Sequence, residues 1–428
     1  MDLVRLYSKI LHHFHSIFWT ILAQGFVVLS SFVTFKVISS KLGPFEFGQF
    51  SLQMAYTSIL MILLFNPAQN SLLRFFAEIY KNRNLKIASR FVLAIGSIGI
   101  VGSNIIFYFQ DYLSLFARGF VPIKYYSMAL SAVIFFSFVP ISMLQSIRKF
   151  RSVAVVQGFD FVIKLIVFLN LFPGVSDSKQ ALALLILSGL LTFIFGTIVF
   201  LLNYRTQIDR PADAVLTISG KDLYRYMAPF IFSGLITWAA TFLDRFIVES
   251  KLGSQELGLY AATMQIASFP SNFLASVVSQ LIVPKVFIAS SNGQNNSQVI
   301  ATFRKEVFLA FLLIWPLLLL YSFFGEKIVG FVSSKEFYID RVSLVFATFG
   351  CLFLQIGNLL GTEGMLYKRA EIYLIPKILH VIVVFLTLVY FTSHFSIHGA
   401  LFSMFISGIV FCSLIAATNW QVLKSKNM

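Results

Sequence analysis

Lys36, Asp160, Lys164, Asp244, Arg245 and Lys285 interrupt long apolar runs, in TFKVI, GFDFVIKLIV, FLDRFIV and IVPKVF. A charge inside an apolar span is expensive unless it faces water or a partner, so each is a candidate functional group. Their chemistry is ion handling. Arginine binds phosphate bidentately and lysine binds it as a point charge, whereas a sheltered carboxylate can hold a proton or cation. Asp160 and Lys164 stand four apart with the acid leading, which places them on one helical face. They are either a structural pair or a group that carries a proton or cation. Asp244 and Arg245 either neutralise each other near an interface or pair with groups from another part of the chain. Lys377 and His380, three apart, extend a cationic path in the second half, and Glu363 in the GTEG segment is the nearest acid in sequence to compensate them. Arg74, in NSLLRFFAE, lies near a span end, where it either snorkels to headgroups or meets substrate, and Lys285 has the same two roles open.

Catalytic and cofactor chemistry lacks a carrier. The sequence has no Gly-rich phosphate loop followed by Lys and Ser or Thr, no HExxH and no nucleophile elbow. It therefore predicts no enzyme, no cofactor and no nucleotide as energy source. His12, His13 and His15 precede the first apolar run and read as interfacial side chains rather than metal ligands. Cys351 and Cys412 lie inside apolar runs and read as small packing residues.

The elements that must hold these groups follow from composition. Hydrophobic residues make up 58% of the 428 and charged residues 12%, with a mean hydropathy of +0.83. Such values exclude a soluble globular chain. A bilayer core takes roughly 20 apolar residues per helix. Six apolar segments precede the polar stretch RTQIDRPADAVLTISGK and six follow it. The sequence thus predicts an all-α integral membrane protein of about 12 helices, in an N-terminal lobe (1–204), a cytoplasmic linker (205–222) and a C-terminal lobe (223–428). With both termini inside, 22 of the 33 Lys and Arg fall in inner joins and ten in outer ones, the bias expected of cytoplasmic termini. The net charge of +15 is then a topology signal and an attraction to anionic lipid, not a nucleic-acid footprint.

KLGPFEFGQF at 41–50 returns as KLGSQELGLY at 251–260. A shift of 210 residues matches Lys41, Leu42, Gly43, Glu46, Gly48 and Met54 with Lys251, Leu252, Gly253, Glu256, Gly258 and Met264, and sets Phe50 against Tyr260. The repeat is helix, tight corner, helix. Its first glycine can take φ > 0 to end one helix, and its glutamate favours the start of the next. Two copies of an even number of helices enter the membrane from one side, so the lobes should be related by a pseudo-twofold axis along the membrane normal, a common plan for transporters.

These corners, NSLLRFFAE at 70–78, the basic RKFR between helices four and five and DRFIVESKLG resemble polysaccharide transporters of the O-antigen flippase type. That family lies within the multidrug/oligosaccharidyl-lipid/polysaccharide exporter superfamily. The resemblance implies a multi-pass protein of the bacterial inner membrane that moves undecaprenyl-diphosphate-linked glycan to the outer leaflet by alternating access. Its implied partners are that lipid-linked glycan, the bilayer and other polysaccharide assembly proteins. In the superfamily, helices 1, 2, 7 and 8 line a cleft. On the matching segments here, Gln24, Lys36, Asn66, Asn70, Arg74, Arg245, Gln280 and Lys285 are the expected substrate-binding residues. Asp244, Asp160, Lys164 and Lys377 are the expected gating or coupling residues. A multidrug or organic-cation antiporter of the same fold is the alternative, although these helices hold more bases than acids away from their ends. A membrane glycan polymerase is a second alternative, which would be expected to carry a long outer loop.

Overall fold

A computed structural model of the chain describes residues 2–81, 85–113, 124–171, 177–205, 219–291, 296–312, 315–366 and 370–426. The side chains of Gln280, Lys285, His12, His13 and His15 lie outside what is described. Among the described residues the fold is all-α, with short 3-10 and π turns and no strand. The first half contains α1 (Asp2–Lys41), α2 (Pro44–Leu60), α3 (Asn66–Lys81), α4 (Leu85–Leu113), α5 (Lys124–Ser146), α6 (Phe150–Leu171) and α7 (Ser178–Arg205). The second contains α8 (Gly220–Leu252), α9 (Ser254–Ser291), α10 (Asn296–Leu312), α11 (Trp315–Val332), α12 (Arg341–Leu360), the short α13 (Thr362–Leu366) and α14 (Leu374–Lys426). Helices dominate because lipid offers no partners to the backbone, so each span must satisfy its own N–H and C=O groups.

Nine stretches among the described residues are long and apolar enough to cross a membrane. They omit two of the six apolar segments that the sequence places after the polar stretch, those carried by α9 and by α10 with α11. They also count once the stretch Glu371–Gln421, which holds two sequence segments. Ser396, at φ 52° and ψ −136°, breaks α14 between those two.

The chain divides into two compact units, residues 1–41 with 52–238 and residues 42–51 with 239–428. The division falls inside α8, whereas the sequence places its linker at 205–222. In the first unit α1 packs along α6, and α5 lies against α3 and α7. Stacked aromatic rings join neighbouring elements of this unit: Phe65, at the end of the turn before α3, on Phe135 of α5 at 4.4 Å, and Phe159 of α6 on Phe195 of α7 at 4.0 Å. In the second unit α12 packs on α14 and α9. Phe303, Val307 and Phe311 of α10 bury against Val278, Leu352 and Leu359.

Both repeated corners contribute to the second unit, and they meet there reciprocally. There is no room for a β-carbon on Gly48, where it would overlap the carbonyl of Ser254, nor on Gly258, where it would overlap the carbonyl of Pro44. Pro44 and Ser254 are themselves equivalent under the 210-residue shift, so the two copies make one contact twice, as in an isologous interface. Gln49 donates to the Ser254 hydroxyl, which donates to Glu249 at 2.6 Å. The copies differ at the turn itself. Gly253 takes φ +88°, whereas Gly43 does not enter the left-handed region. The reason is local: Gly43 precedes Pro44, and a residue before proline is pushed towards extended backbone. Proline at the first position of α2 sets that helix start instead.

Candidate functional site

The described polar groups within apolar helices form two sets, one in each unit. In the first unit the chain leaving α2 passes through a π turn at Met61–Phe65 before α3. The extra residue of a π turn rotates the faces that follow, and such turns gather at functional positions. Asn66, Asn70 and Arg74 come next, four apart and all exposed, so they form one polar stripe along α3. The stripe offers two amides and a guanidinium, a set suited to sugar hydroxyls and phosphate. The opposite face is buried through Ala68, Leu72 and Phe76. Ser71, also buried, bonds the Leu223 carbonyl at 3.1 Å. Arg74 lies over its neighbour Phe75 with 5.8 Å to the ring centre. Gln24 and Lys36 on α1 are half-buried.

Asp160 and Lys164 do pair, at 2.8 Å. The carboxylate has further partners that spacing does not reveal. Ser30 of α1 donates to the same oxygen at 3.2 Å, and Thr192 of α7 donates to the other at 3.0 Å. Three helices therefore converge on one half-buried acid with a cation and two hydroxyls. That set neutralises the acid and occupies both of its oxygens.

In the second unit Asp244 is 6% exposed. It accepts from the Tyr260 hydroxyl at 2.7 Å and from the backbone N–H of Arg245 at 2.9 Å. The Arg245 guanidinium lies over the Phe242 ring at 4.6 Å. Adjacent residues on a helix point about 100° apart, which lets the acid enter the packing while the base turns to an aromatic face. Lys377 is half-buried, and His380 one turn later is 3% exposed against Phe411, with ring centres 4.6 Å apart. Glu363 compensates neither. It receives two hydrogen bonds from Arg304, Nε at 2.7 Å and Nη2 at 2.6 Å.

Tyr260, Ser30, Thr192 and Arg304 are the participants that spacing alone does not find. Each lies on a different helix from its acid, and only packing brings them together. Tyr260 left a trace, since it is the hydroxylated member of the Phe50/Tyr260 match. Arg304 left none.

A family described as polysaccharide biosynthesis protein matches residues 14–290. The capsular polysaccharide biosynthesis protein CapF of Staphylococcus aureus is 22% identical over 224 residues, 52% of this chain and 56% of that protein. The match thus spans little more than half the length of this curated relative. The inward-facing structure of a multidrug resistance MATE family transporter of the MOP superfamily aligns with a TM-score of 0.70 at 14% identity, covering 96% of this chain and 99% of that one. Lipid II flippase MurJ, in an inward closed conformation, aligns with a TM-score of 0.66 at 14% identity over 92% and 86%. At such identity the likeness is one of fold, and the chain shares the two-lobed all-α fold of these proteins.

Proposed function

The chain belongs to the polysaccharide biosynthesis protein family, and from that premise we propose that it is a flippase for a lipid-linked glycan. The substrate is an undecaprenyl-diphosphate-linked oligosaccharide, an O-antigen or other surface repeat unit. It moves from the inner to the outer leaflet of the bacterial inner membrane, with both chain termini in the cytoplasm. The observation that carries this is the family match across 14–290, in a chain whose helices hold cations and amides within apolar surroundings.

The chemistry asks for few groups. The polyprenyl tail stays in lipid while the diphosphate and sugars cross. Each unit offers the diphosphate its own cations, Arg74 with Lys36 in the first and Arg245 with Lys285 in the second, the arginines able to bind bidentately and the lysines as point charges. Asn66, Asn70, Gln24 and Gln280 exchange hydrogen bonds with sugar hydroxyls in place of water. Asp160 with Lys164, Asp244 and Lys377 are the groups through which an ion gradient or a gate would act.

Two measurements test the reading. Depletion of the protein strands the lipid-linked glycan in the inner leaflet. Accumulation in the outer leaflet overturns the assignment, and single repeat units at the cell surface would indicate a polymerase. Lys36→Gln, Arg74→Gln and Arg245→Gln together abolish surface glycan while the protein remains in the membrane. Normal glycan in that variant removes these residues from the site. Export of lipophilic cations by cells expressing the protein, without glycan delivery, would favour the antiporter.

A further inference from the structure

The second unit holds a pocket of about 380 Å³, within the size range of small-molecule sites. Phe308 and Phe311 of α10, Ile356 and Leu360 of α12 and Trp420 of α14 line it with apolar surface, and Arg304 stands in its wall. Glu363 grips Arg304 through two parallel hydrogen bonds, at 2.7 and 2.6 Å. The exposures of the pair are opposite: the Arg304 side chain is 37% exposed and that of Glu363 3%. A molecule entering the pocket therefore meets the guanidinium and not the carboxylate behind it. Trp420 is 70% exposed at the edge, an amphipathic ring of the kind that sits at headgroup level.

We propose that this pocket is a binding site for a membrane phospholipid with an anionic headgroup. Its phosphodiester lies against Arg304, and an acyl chain runs along Phe308, Phe311, Ile356 and Leu360. An arginine held in one rotamer by a buried acid is pre-organised, so little side-chain freedom is lost when the phosphate arrives. The pair as a whole carries no net charge. That suits the single charge of a phosphodiester better than the multiple charge of a diphosphate, which Glu363 would repel more strongly at short range. The occupant is thus a bilayer lipid rather than the transported substrate. Its role would be to fix α10, α12 and α14 against one another at the membrane surface.

The test uses the full chain in nanodiscs containing a diazirine-bearing phosphatidylglycerol or the matching phosphatidylcholine. The expected result is crosslinking to residues 304–311 and 416–420, roughly fivefold stronger for the anionic lipid. Ala416→Trp places an indole in the pocket mouth and leaves the Arg304–Glu363 pair intact. It should remove the crosslinks with the melting temperature in detergent unchanged. Equal labelling by both lipids, or undiminished labelling in Ala416→Trp, overturns the proposal. Displacement by equimolar polyprenyl diphosphate but not by phosphatidylglycerol overturns it in favour of the transported substrate. Should Ala416→Trp fail to fold, competition of wild-type labelling by unlabelled phosphatidylglycerol against phosphatidylcholine decides the same question.

Discussion

The two copies of the repeated corner share their backbone contact and differ in their polar chemistry. Under the 210-residue shift, Gly48 faces Gly258 and Pro44 faces Ser254, and both close approaches are present. The same shift sets Thr34 against Asp244, Phe35 against Arg245 and Phe50 against Tyr260. The buried acid and the tyrosine that bonds it in the second copy are thus a threonine and a phenylalanine in the first. Both members of the hydrogen bond differ together, and the neutral hydroxyl of Thr34 is left buried without a hydrogen-bond partner, a smaller penalty than an unpartnered buried carboxylate would carry. The difference teaches that the scaffold of this repeat is symmetric while its charge is not. The second copy carries an acid and a base that the first copy replaces with neutral side chains.

The shared part predicts the largest effect. Gly258→Val forces a side chain into the Pro44 carbonyl and should destabilise the protein by about 3 kcal/mol, the upper end of overpacking. Gly48→Val should do the same against Ser254, and the two together should cost less than their sum, because both break one contact. Melting of the purified protein and its monodisperse fraction after extraction measure this. Tolerance of either variant would break the reciprocity.

The differing part predicts a smaller and more informative effect. Tyr260→Phe leaves Asp244 buried without its hydroxyl donor and should cost about 1–3 kcal/mol. Adding Asp244→Thr rebuilds the first copy's pair in the second and should recover part of that stability, because a neutral hydroxyl costs less than a carboxylate when buried without a partner, while glycan delivery stays low. A double variant as unstable as Tyr260→Phe alone would mean that Asp244 is held by more than the tyrosine. A double variant that delivers glycan normally would make the asymmetry functionally silent.

The smallest effect is expected at the other sheltered acid. Asp160→Asn removes an i,i+4 ion pair that is partly exposed, and its cost should be about 1 kcal/mol or less. The amide oxygen can still accept from one of the two hydroxyls, Ser30 or Thr192, while the amide NH2 donates to the other. A fall in glycan delivery with unchanged melting assigns Asp160 to coupling, and unchanged delivery reduces it to a structural pair. The comparison with Asp244 then shows which half carries the ion-sensitive acid.

Much of the architecture is legible in the sequence because the bilayer imposes it. Only helices long enough to cross, with their backbone satisfied internally, are compatible with apolar runs of this length, so the all-α class follows from hydropathy alone. The corner is legible because glycine, proline and glutamate act locally, and the broken helix at Ser396 falls where one apolar segment ends and the next begins. The Asp160–Lys164 pair is legible because helical periodicity sets its distance. Partners across helices are not. Tyr260 at Asp244, Ser30 and Thr192 at Asp160 and Arg304 at Glu363 are separated by 16 to 130 residues. Their meeting depends on how whole helices pack. Lys36, Lys377 and Arg245 are visible as charges within apolar runs, but exposure and neighbours were settled by the fold, which laid Arg245 on Phe242 and gave Glu363 to Arg304. Sequence alone determined what each helix is, since that is decided by contact with lipid and by bonds within one segment. Tertiary structure decided which charges are shared, since that is a matter of which faces remain once every helix has packed.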